Sequence, residues 1–457
     1  MEYDNYFPDT DLDLSFTSTT TDRTFTSSSA RSSLARSSLT LSFNDRLSTT
    51  TTPSNTTTTL NHRRYDPHWT SINAAKTLSS DARIHLRHLK LIRLLGTGNL
   101  GRVFLCHLRD CPNSGEFALK VIDRDSLTTK KISNVEIESE ILSLLDHPFL
   151  PNLYARIDAS HYTCVLIDYC SKGDLHTLLR KQPNHRFSIS SARFFASEIL
   201  VALEYLHAIG IVYRDLKPEN VLIREDGHIM LSDFDLCFKS DVTPSFKSTP
   251  ASSLSPSSNR RRLRNHRRGR EEMVAEFAAE PVKAYSRSCV GTHEYLAPEI
   301  VAGNGHGNGV DWWAFGVFLY EMLYGTTPFK GLNKEQTLHK IVSNDDVAFF
   351  EEEGLEEAND LIKMLLVKDS SKRLGCVKGA QDIKRHRFFD GINWPLIRNY
   401  KPPEFGKKSK SRDGYVSGLS SSLRRRKWLW LALAKLLRRR SNSKIQSNSN
   451  YYRYYVE

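Results

Sequence analysis

The sequence has few cysteines, and their arrangement excludes the frameworks that cysteine usually builds. Seven cysteines are scattered over the 457 residues, and none of them belongs to a Cys-x-x-Cys pair. A structural zinc site or a disulfide framework is therefore not expected, and a reducing compartment is favoured.

Long apolar runs are lacking as well. No segment reaches the roughly 18 consecutive apolar residues that a membrane-spanning helix needs. The N-terminal residues carry acidic side chains and no apolar run follows them, so we expect no secretory or transit peptide. These acidic residues are Glu2, Asp4, Asp9, Asp11 and Asp13.

The positive charge of the chain is concentrated in two short segments. Seven arginines lie within residues 260–270, and eight lysines or arginines lie within residues 424–440. Removing these fifteen charges from the net charge of +12 leaves −3, so the rest of the chain is mildly acidic. The basic character therefore belongs to these segments and not to the main body of the protein.

The composition predicts a folded body with tails. With 39% hydrophobic residues, the chain can build a two-lobed core of about 300 residues and still carry tails. Residues 1–88 are predicted to be a disordered tail, because Ser and Thr make up more than half of positions 15–59. A tandem Ala-Arg-Ser-Ser-Leu repeat at residues 30–39 leaves a second interpretation open, a phosphorylated regulatory or docking segment.

The densest chemical signal lies in residues 213–235. Asp215 has the spacing of a base that accepts the proton of an attacking hydroxyl, and Lys217 can reach a transferring phosphate. Asn220 and Asp233 have the spacing of metal ligands. Phosphoryl transfer needs such positioning and charge more than covalent help. The alternative, a polar hairpin after a core helix, does not account for four polar residue types at fixed offsets.

A glycine-rich turn lies between two predicted strands, at residues 91–95 and 102–106. Its Gly-x-Gly-x-x-Gly pattern at residues 96–101 is shared with dinucleotide-binding folds, which place a helix directly after the glycines. Here a strand follows, and a second strand with Lys120 comes soon after. The pattern therefore favours a loop whose N–H groups cover nucleotide phosphates, and the dinucleotide interpretation is not retained.

Together these motifs resemble the signature set of eukaryotic protein kinases over about residues 89–389, and in particular the plant AGC serine/threonine kinases of the WAG and PINOID group. The sequence departs from the general kinase pattern in two places. Tyr213 stands at the usual His, as in other AGC kinases, and Asp235 stands at the usual Gly, a mark of this plant group. We expect activity to survive the second change, with a stiffer loop.

The resemblance implies an α+β, bilobal kinase fold. Residues 89–169 would form an N-lobe of antiparallel sheet plus helix C, and residues 170–389 a mostly helical C-lobe. The extra segment of the activation region, residues 239–284, is predicted to be a disordered basic insertion. Residues 390–457 would be an AGC-type C-terminal extension that ends in a basic, Trp-containing tail, although the terminal Phe-x-x-Phe of many AGC kinases is missing.

The resemblance also implies ATP and Mg²⁺ as cofactors. Asn220 and Asp233 would hold the metal, and Glu138, on a helix predicted at residues 134–145, would pair with Lys120. For Glu136 on the same helix, a solvated face is the simpler interpretation. The nucleotide-binding residues implied are Gly96, Thr97, Gly98, Asn99, Leu100, Gly101, Arg102, Val103, Ala118, Lys120, Glu138, Asp168, Cys170, Asp174 and Leu222.

The activation region supplies further expectations. Ser288 matches the activation phosphosite, with Arg214 as the partner of its phosphate. Thr292 would brace Asp215 and Lys217. The resemblance also implies two structural contacts. Glu299 would form an ion pair with Arg373, and Asp311 would anchor the catalytic loop.

The expected substrates are proteins phosphorylated on Ser or Thr in basic contexts. Lys217 is the serine/threonine-type loop residue, and Asp174, Glu219 and Glu321 match positions where AGC kinases bind substrate arginines. For Glu321, a simple solvent-facing position is the alternative. By resemblance, the substrates are auxin efflux carriers and the role is in polar auxin transport and organ development. An upstream activating kinase and a monomeric state are also expected.

The apolar block at residues 428–434, flanked by basic residues, is too short to span a bilayer. Trp with flanking Lys and Arg suits the interface of an anionic membrane. We therefore expect a cytoplasmic protein peripherally bound to the plasma membrane. The alternative is a nuclear-import or nucleic-acid patch at residues 260–270 with a docked helix at Trp428, although no nucleic-acid partner is expected.

One alternative function from another class stays open. A catalytically weak kinase-fold scaffold, recruited to membranes, would share the fold without the reaction. The presence of the full catalytic set argues against it, and Asp235 is the one departure in its favour. The retained catalytic set is Lys120, Glu138, Asp215, Asn220 and Asp233.

Overall fold

The fold was analysed in a computed structural model, which describes residues 67–109, 115–242, 245–250, 273–278, 280–281, 284–343, 346–350 and 352–405. All of them belong to one compact unit of the chain, residues 62–457.

The N-lobe is built on a five-stranded antiparallel sheet. The strands are ordered β1-β2-β3-β5-β4, and each pairs with a neighbour in antiparallel register. β3 lies at the centre, where Lys120 is opposite Val103 of β2 and Val165 of β5. The strands are β1 (Leu89–Thr97), β2 (Arg102–Leu108), β3 (Phe117–Asp123), β4 (Leu153–Ala159) and β5 (Tyr162–Asp168).

Alternation along β3 gives the sheet two different faces, because successive strand residues point to opposite sides. Phe117 and Leu119 belong to an apolar cluster on one face. Ile122 belongs to a second cluster, together with Val135 of the helix α2 (Thr129–Leu144). This helix begins five residues earlier than the sequence predicted, after Thr128, whose hydroxyl caps it by accepting a hydrogen bond from the Lys131 N–H.

A helix covers the first of these faces, which the sequence did not predict. α1 (Pro67–Thr77) buries Ile72 and Ala75 in the same cluster as Phe117, and the Trp69 ring lies 5.0 Å from the Tyr154 ring. The prediction of a disordered tail to residue 88 is wrong for this helix. Its apolar residues share one helical face and find an apolar sheet surface to cover, which composition alone does not reveal. Residues 1–66 of the predicted tail lie outside the described part.

The C-lobe is mostly helical, with α4 and α6 at its centre. Every residue of α6 is buried, including the adjacent Trp312 and Trp313. α6 ends at Gly325, which has a φ of 72°, and a Cβ there would lie 2.7 Å from the His185 carbonyl oxygen. The helices are α3 (Leu175–Arg180), α4 (Ile189–Ala208), α5 (Pro298–Val301), α6 (Gly309–Tyr324), α7 (Lys334–Val342), α8 (Glu356–Leu365) and α9 (Ala380–Lys384).

Short strand pairs frame the catalytic loop. β6 (Ile211–Val212) pairs with β9 (Phe238–Lys239), and β7 (Val221–Ile223) pairs with β8 (Ile229–Leu231). The loop at residues 213–220 therefore begins and ends in strands that fix its position. The predicted α+β, bilobal architecture is confirmed. Among the described helices, none is both long and apolar enough to cross a membrane.

The insertion at residues 239–284 is partly ordered, so the prediction of disorder is wrong for part of it. β10 (Ser245–Pro250) and β11 (Met273–Ala278) form an antiparallel pair, with Ser245 opposite Ala278. Glu280 and Ala284 are buried. These contacts join segments that are distant in sequence, whereas the Ser, Pro and Arg content suggested only a loop. The arginine-rich segment at residues 260–270 lies outside the described residues.

The C-terminal extension packs on the C-lobe over its first part. A 3₁₀ turn forms at Trp394–Asn399, and the Phe405 ring lies 5.3 Å from the Phe187 ring. Arg398 forms an ion pair with Asp226. Residues 406–457, with the Trp-containing basic tail, lie outside the described residues.

Candidate active site

The buried carboxylate of Asp311 accepts hydrogen bonds from the backbone of the catalytic loop, residues 213–220. Its Oδ2 accepts a hydrogen bond from the Tyr213 N–H at 2.8 Å, and its Oδ1 accepts one from the Arg214 N–H at 2.7 Å. Arg214 has a φ of 64°, an uncommon conformation for a residue other than glycine. The tie predicted from the sequence is therefore present, and it fixes the backbone directly before Asp215.

Three side chains converge on Asp215. The Lys217 Nζ donates to Asp215 Oδ2 at 2.6 Å and to the Thr292 hydroxyl at 3.0 Å. The Asn220 amide donates to the same Asp215 oxygen at 2.8 Å, and the Thr292 hydroxyl lies 3.5 Å from the other. The structure thus brings together the predicted base, its lysine, one metal-binding candidate and the predicted brace from the activation segment.

The surroundings of Asp215 also affect its ionisation. Burial raises its pKa above the usual value, and the negative charge of Asp233 adds to this effect. The hydrogen bonds from Lys217 and Asn220 oppose it by stabilising the carboxylate. A carboxylate with a raised pKa is a better proton acceptor, which suits a general base.

Lys120 lies between two carboxylates from different elements. Its Nζ donates to both Glu138 oxygens, at 2.6 and 2.8 Å, and lies 3.5 Å from Asp233 Oδ1. Burial alone would lower the pKa of Lys120, but the charges of Glu138 and Asp233 raise it, so the amine stays protonated. Glu136 instead forms an exposed ion pair with Arg156, at 2.6 Å. The choice of Glu138 over Glu136 as partner of Lys120 agrees with this geometry.

Asp233 and Asn220 provide oxygen ligands suited to a divalent cation. The Asp233 side chain is 39% exposed, and its backbone has a φ of 58°. The Asn220 amide nitrogen is taken by Asp215, which leaves its oxygen for a metal. Mg²⁺ in nucleotide sites needs only one or two protein oxygens beside phosphate oxygens and water. In the described part of the chain no larger cluster of His, Cys, Asp or Glu could hold a metal ion.

The glycine-rich turn between β1 and β2 leaves open space beside its backbone at Gly96. The Gly98 N–H donates to the Gly101 carbonyl at 2.8 Å, which closes the turn. A Cβ at Gly101 would lie 2.3 Å from the Val121 carbonyl oxygen, so only glycine fits there. A Cβ at Gly96 would meet nothing within 4 Å, which leaves space beside the backbone for phosphates.

Other predicted residues of this turn have different surroundings. Leu100 is buried against Ile122 and Val135 and supports the turn from within. Asn99 accepts a hydrogen bond from the Lys131 Nζ at 2.9 Å. Thr97 and Arg102 are exposed at the two strand ends. Leu100 therefore cannot contact a nucleotide through its side chain without leaving this cluster.

In the linker between the lobes, the side chains of Asp168 and Cys170 are engaged in contacts within the protein. The Asp168 carboxylate accepts hydrogen bonds from the Asn152 N–H at 2.7 Å and from the Tyr154 hydroxyl at 2.8 Å. The Cys170 side chain is buried, with its sulfur 3.9 Å from that of Met230. The predicted nucleotide contacts of Asp168 and Cys170 can therefore concern only main-chain atoms.

Asp174 and Leu222 are brought together across the site. They form an isolated antiparallel bridge, in which the linker meets β7. The Asp174 carboxylate caps α3 by accepting from the Thr177 N–H at 2.7 Å and from the Thr177 hydroxyl at 2.9 Å. Ala118 and Val103, also predicted to bind the nucleotide, lie on neighbouring central strands.

Asp235, at the position of the usual glycine, is buried beside the other acidic groups. Burial and the negative charge of Asp233 raise its pKa to about 6, while Lys120 opposes the shift. The side chain is accommodated without a positive φ, since the positive φ of this turn falls on Asp233. The aspartate therefore adds negative charge near Lys120 without requiring the backbone conformation for which glycine is usual.

The predicted substrate-binding carboxylates differ in their freedom. Glu219 is half exposed, and its Oε1 lies 3.8 Å from the His176 Nε2. Glu321 is buried, which excludes a solvent-facing position; it accepts from the Tyr295 hydroxyl at 2.6 Å and from Arg180 at 3.1 Å. A substrate arginine would have to compete with Arg180 for Glu321, whereas Glu219 has room for a new partner.

The predicted activation phosphosite is exposed but is not in contact with its expected partner. The Arg214 guanidinium donates to the Ser286 hydroxyl at 3.2 Å, and the Ser288 N–H donates to that hydroxyl at the same distance. The Ser286 backbone also forms an isolated antiparallel β-bridge with His306. Sequence reasoning missed Ser286, although the Ser-x-Ser spacing was a signal that could have identified it.

Two further residues were missed for a different reason. Arg180 and Tyr295 hold Glu321, and they come from α3 and from the segment before α5. No spacing rule in the sequence predicts such a contact, because it depends on the packing of three distant segments.

The chain is similar to known proteins along most of its length. A protein kinase domain matches residues 89–254 and 274–389. The chain is 74% identical to serine/threonine-protein kinase WAG1 of Arabidopsis thaliana, over 99% of each chain. It is 68% identical to serine/threonine-protein kinase WAG2 of the same plant, over 99% of this chain and 97% of the relative. Protein kinase PINOID of rice (Oryza sativa subsp. japonica) is 47% identical, over 75% of this chain and 74% of the relative.

The ion pair of Lys120 with Glu138 generates a testable prediction. Glu138→Gln keeps the side-chain shape but removes the charge that holds Lys120, so the turnover number for phosphate transfer from ATP should fall about 100-fold. Steady-state kinetics measure this. Glu136→Gln is the matched control, because it breaks an exposed pair on the same helix and should leave turnover within about twofold. Equal losses in both variants would contradict the role assigned to Glu138.

Proposed function

The chain belongs to the protein kinase family, as a serine/threonine kinase of the plant WAG and PINOID group, and on this premise we propose that it uses Mg²⁺ and ATP to phosphorylate auxin efflux carriers. The observation that carries the chemical part of the proposal is the convergence of Lys217, Asn220 and Thr292 on Asp215. Such a cluster can orient a hydroxyl and balance charge at one point.

The reaction follows from the roles of these side chains. A substrate Ser or Thr hydroxyl hydrogen-bonds to Asp215, and its oxygen attacks the γ-phosphorus as the bond to the bridging oxygen of ADP breaks. Asp215 accepts the hydroxyl proton. Lys217, 2.6 Å from Asp215, places positive charge beside the transferred phosphate. Lys120, held by Glu138, binds the α- and β-phosphates.

The donor set supports Mg²⁺ as the metal. Asp233 and Asn220 offer hard oxygen ligands, and both are close to the charged groups that face the phosphates. When bound, the metal neutralises negative charge on the phosphate oxygens. The negative charge of Asp235 adds to the attraction of a cation at this point.

Acidic residues support a preference for substrates with arginine before the target residue. Glu219 is half exposed within the catalytic loop, and its Oε1 is 3.8 Å from the His176 Nε2. Asp174 lies at the start of α3, so a second carboxylate is close to the site. Opposite charges in a partly desolvated groove favour such peptides over neutral ones.

Two parts of the proposal rest on resemblance and on sequence. The likeness to the WAG and PINOID kinases supports the cytosolic loops of auxin efflux carriers as substrates, and with them a role in polar auxin transport and organ development. The block at residues 428–434, with its flanking basic residues, supports a cytoplasmic location at the plasma membrane. Activation through phosphorylation of Ser288, by this enzyme or by an upstream kinase, belongs to the same proposal.

Phosphate transfer to a peptide tests the proposed reaction. Wild type should label a Ser peptide with upstream arginines faster than the matched peptide with alanines, because Glu219 attracts the arginines. Asp215→Asn should reduce the turnover number at least about 100-fold, since the proton acceptor is lost. Asp226→Asn, which breaks an ion pair with Arg398 away from the site, should not. If wild type phosphorylated on Ser288 transfers no phosphate, the scaffold alternative takes over.

Binding to lipid vesicles tests the proposed location. The full-length protein should bind vesicles of phosphatidylcholine and phosphatidylserine but not phosphatidylcholine alone, and added salt should weaken binding because the attraction is partly ionic. A Trp428→Ala, Trp430→Ala double variant should bind more weakly, since it keeps the charge but loses the interfacial rings. Binding to duplex DNA with the same salt dependence and no preference for the anionic lipid would contradict the membrane proposal.

A further inference from the structure

Glu280 is a carboxylate from the end of the insertion that lies inside the C-lobe. It follows β11 by two residues and is only 8% exposed. Acidic side chains are rarely buried to this degree unless they are paired or fully hydrogen-bonded. Its surroundings therefore need an explanation that the Ser, Pro and Arg content of the insertion does not provide.

Three donors from three parts of the C-lobe surround the Glu280 carboxylate. Its Oε2 accepts from the His207 Nδ1 at 2.8 Å and from the Asn308 amide at 2.7 Å. Its Oε1 accepts from the Ala380 N–H at 3.3 Å. A Cβ at Gly379 would lie 2.0 Å from Glu280 Oε1, so the start of α9 leaves room for this carboxylate.

His207 connects Glu280 to Asp311. The imidazole is fully buried at the end of α4, and its Nε2 lies 2.9 Å from Asp311 Oδ2. Because each ring nitrogen contacts a carboxylate oxygen, both donate and the ring is an imidazolium. Burial alone would lower the pKa of His207, but the charge of Glu280 and the hydrogen bond to Asp311 raise it to about 10.

The contacts continue from Asp311 into the catalytic loop. The same Asp311 oxygen that accepts from His207 also accepts from the Tyr213 N–H, at 2.8 Å. The other oxygen accepts from the Arg214 N–H. An unbroken line of hydrogen bonds therefore runs from Glu280 through His207 and Asp311 to the residue before Asp215.

We propose that Glu280 is a positioning residue for phosphate transfer, which acts through His207 and Asp311 on the catalytic loop. The negative charge of Glu280 balances the imidazolium, and the imidazolium fixes the orientation of the Asp311 carboxylate that holds the loop amides. The inference rests on the proposed phosphotransferase reaction. It adds that the end of the insertion, through Glu280, influences the position of the catalytic loop.

A purely structural role for Glu280 is the competing explanation. Its contacts with Asn308 and with Ala380 could anchor the insertion without any effect on the loop. The two explanations differ in what the loss of charge does to the Tyr213 and Arg214 amides, which lie on the far side of His207 and Asp311.

The test compares Glu280→Gln with wild type in the full-length protein. Loss of the charge should let the Asp311 carboxylate move more freely. The amides of Tyr213 and Arg214 should therefore exchange with deuterium about tenfold faster. The turnover number for peptide phosphorylation should fall about tenfold. The KM for ATP should stay within about twofold, because Lys120 and Glu138 are not in this network. Glu280→Asp, which keeps the charge on a shorter side chain, should lose less than Glu280→Gln.

Glu204→Gln is the matched control. Glu204 lies on α4, one turn before His207, and forms an ion pair with Lys384 and a hydrogen bond with Gln381 at 2.8 Å. Like Glu280, it contacts one basic and one amide side chain of the C-lobe, but it has no contact with Asp311. Neither the exchange of the loop amides nor the turnover number should change in this variant.

A double-mutant cycle separates action through His207 from a general loss of packing. If Glu280 acts through His207, then Glu280→Gln should have little further effect on the turnover number in a His207→Gln background. Additive losses, or unchanged exchange and turnover in Glu280→Gln, would overturn the proposal. If wild type transfers no phosphate, the proposed function fails, whereas the exchange rates still decide whether Glu280 positions the loop.

Discussion

The buried carboxylate of Asp311 is the contact on which the rest of the active site depends. It accepts hydrogen bonds from two consecutive amides, of Tyr213 and Arg214, and from His207. Because these amides directly precede Asp215, the position of this proposed base is set by a fully buried group. Helix α6, buried along its whole length, gives this carboxylate a rigid support. The core of the C-lobe therefore fixes the backbone directly before Asp215.

Among the described residues, several buried charges are paired with opposite charges from distant segments. Lys120 with Glu138 joins the sheet to α2, and Arg373 with Glu299 joins the end of the activation segment to the C-lobe. Isolated buried charges would be costly, whereas paired and hydrogen-bonded ones can fix one arrangement of the chain. Each pair lies beside a segment that shapes the site, so the same contacts that order the fold also order the chemistry.

The sequence predicted the parts of the site that depend on fixed spacing. The fold class and the pairing of Lys120 with Glu138 agree with the structure, because these motifs combine a local pattern with a known chemical need. It could not predict α1, the β10–β11 pair or the burial of Glu280. Each of these depends on an apolar or polar surface supplied by remote residues, which the composition of a Ser- and Arg-rich segment conceals. The inward position of Glu321 was hidden for the same reason, since Arg180 and Tyr295 are far from it in sequence.

The most direct test of this account measures peptide phosphorylation and ATP affinity in Asp311→Asn. The account predicts a turnover number about 100-fold below that of wild type, because a loop displaced by about 1 Å misplaces Asp215. It also predicts an ATP dissociation constant within about twofold of wild type, since Lys120 and the glycine-rich turn are not held by Asp311. An unchanged turnover number, or a loss of ATP affinity as large as the loss of turnover, would contradict it.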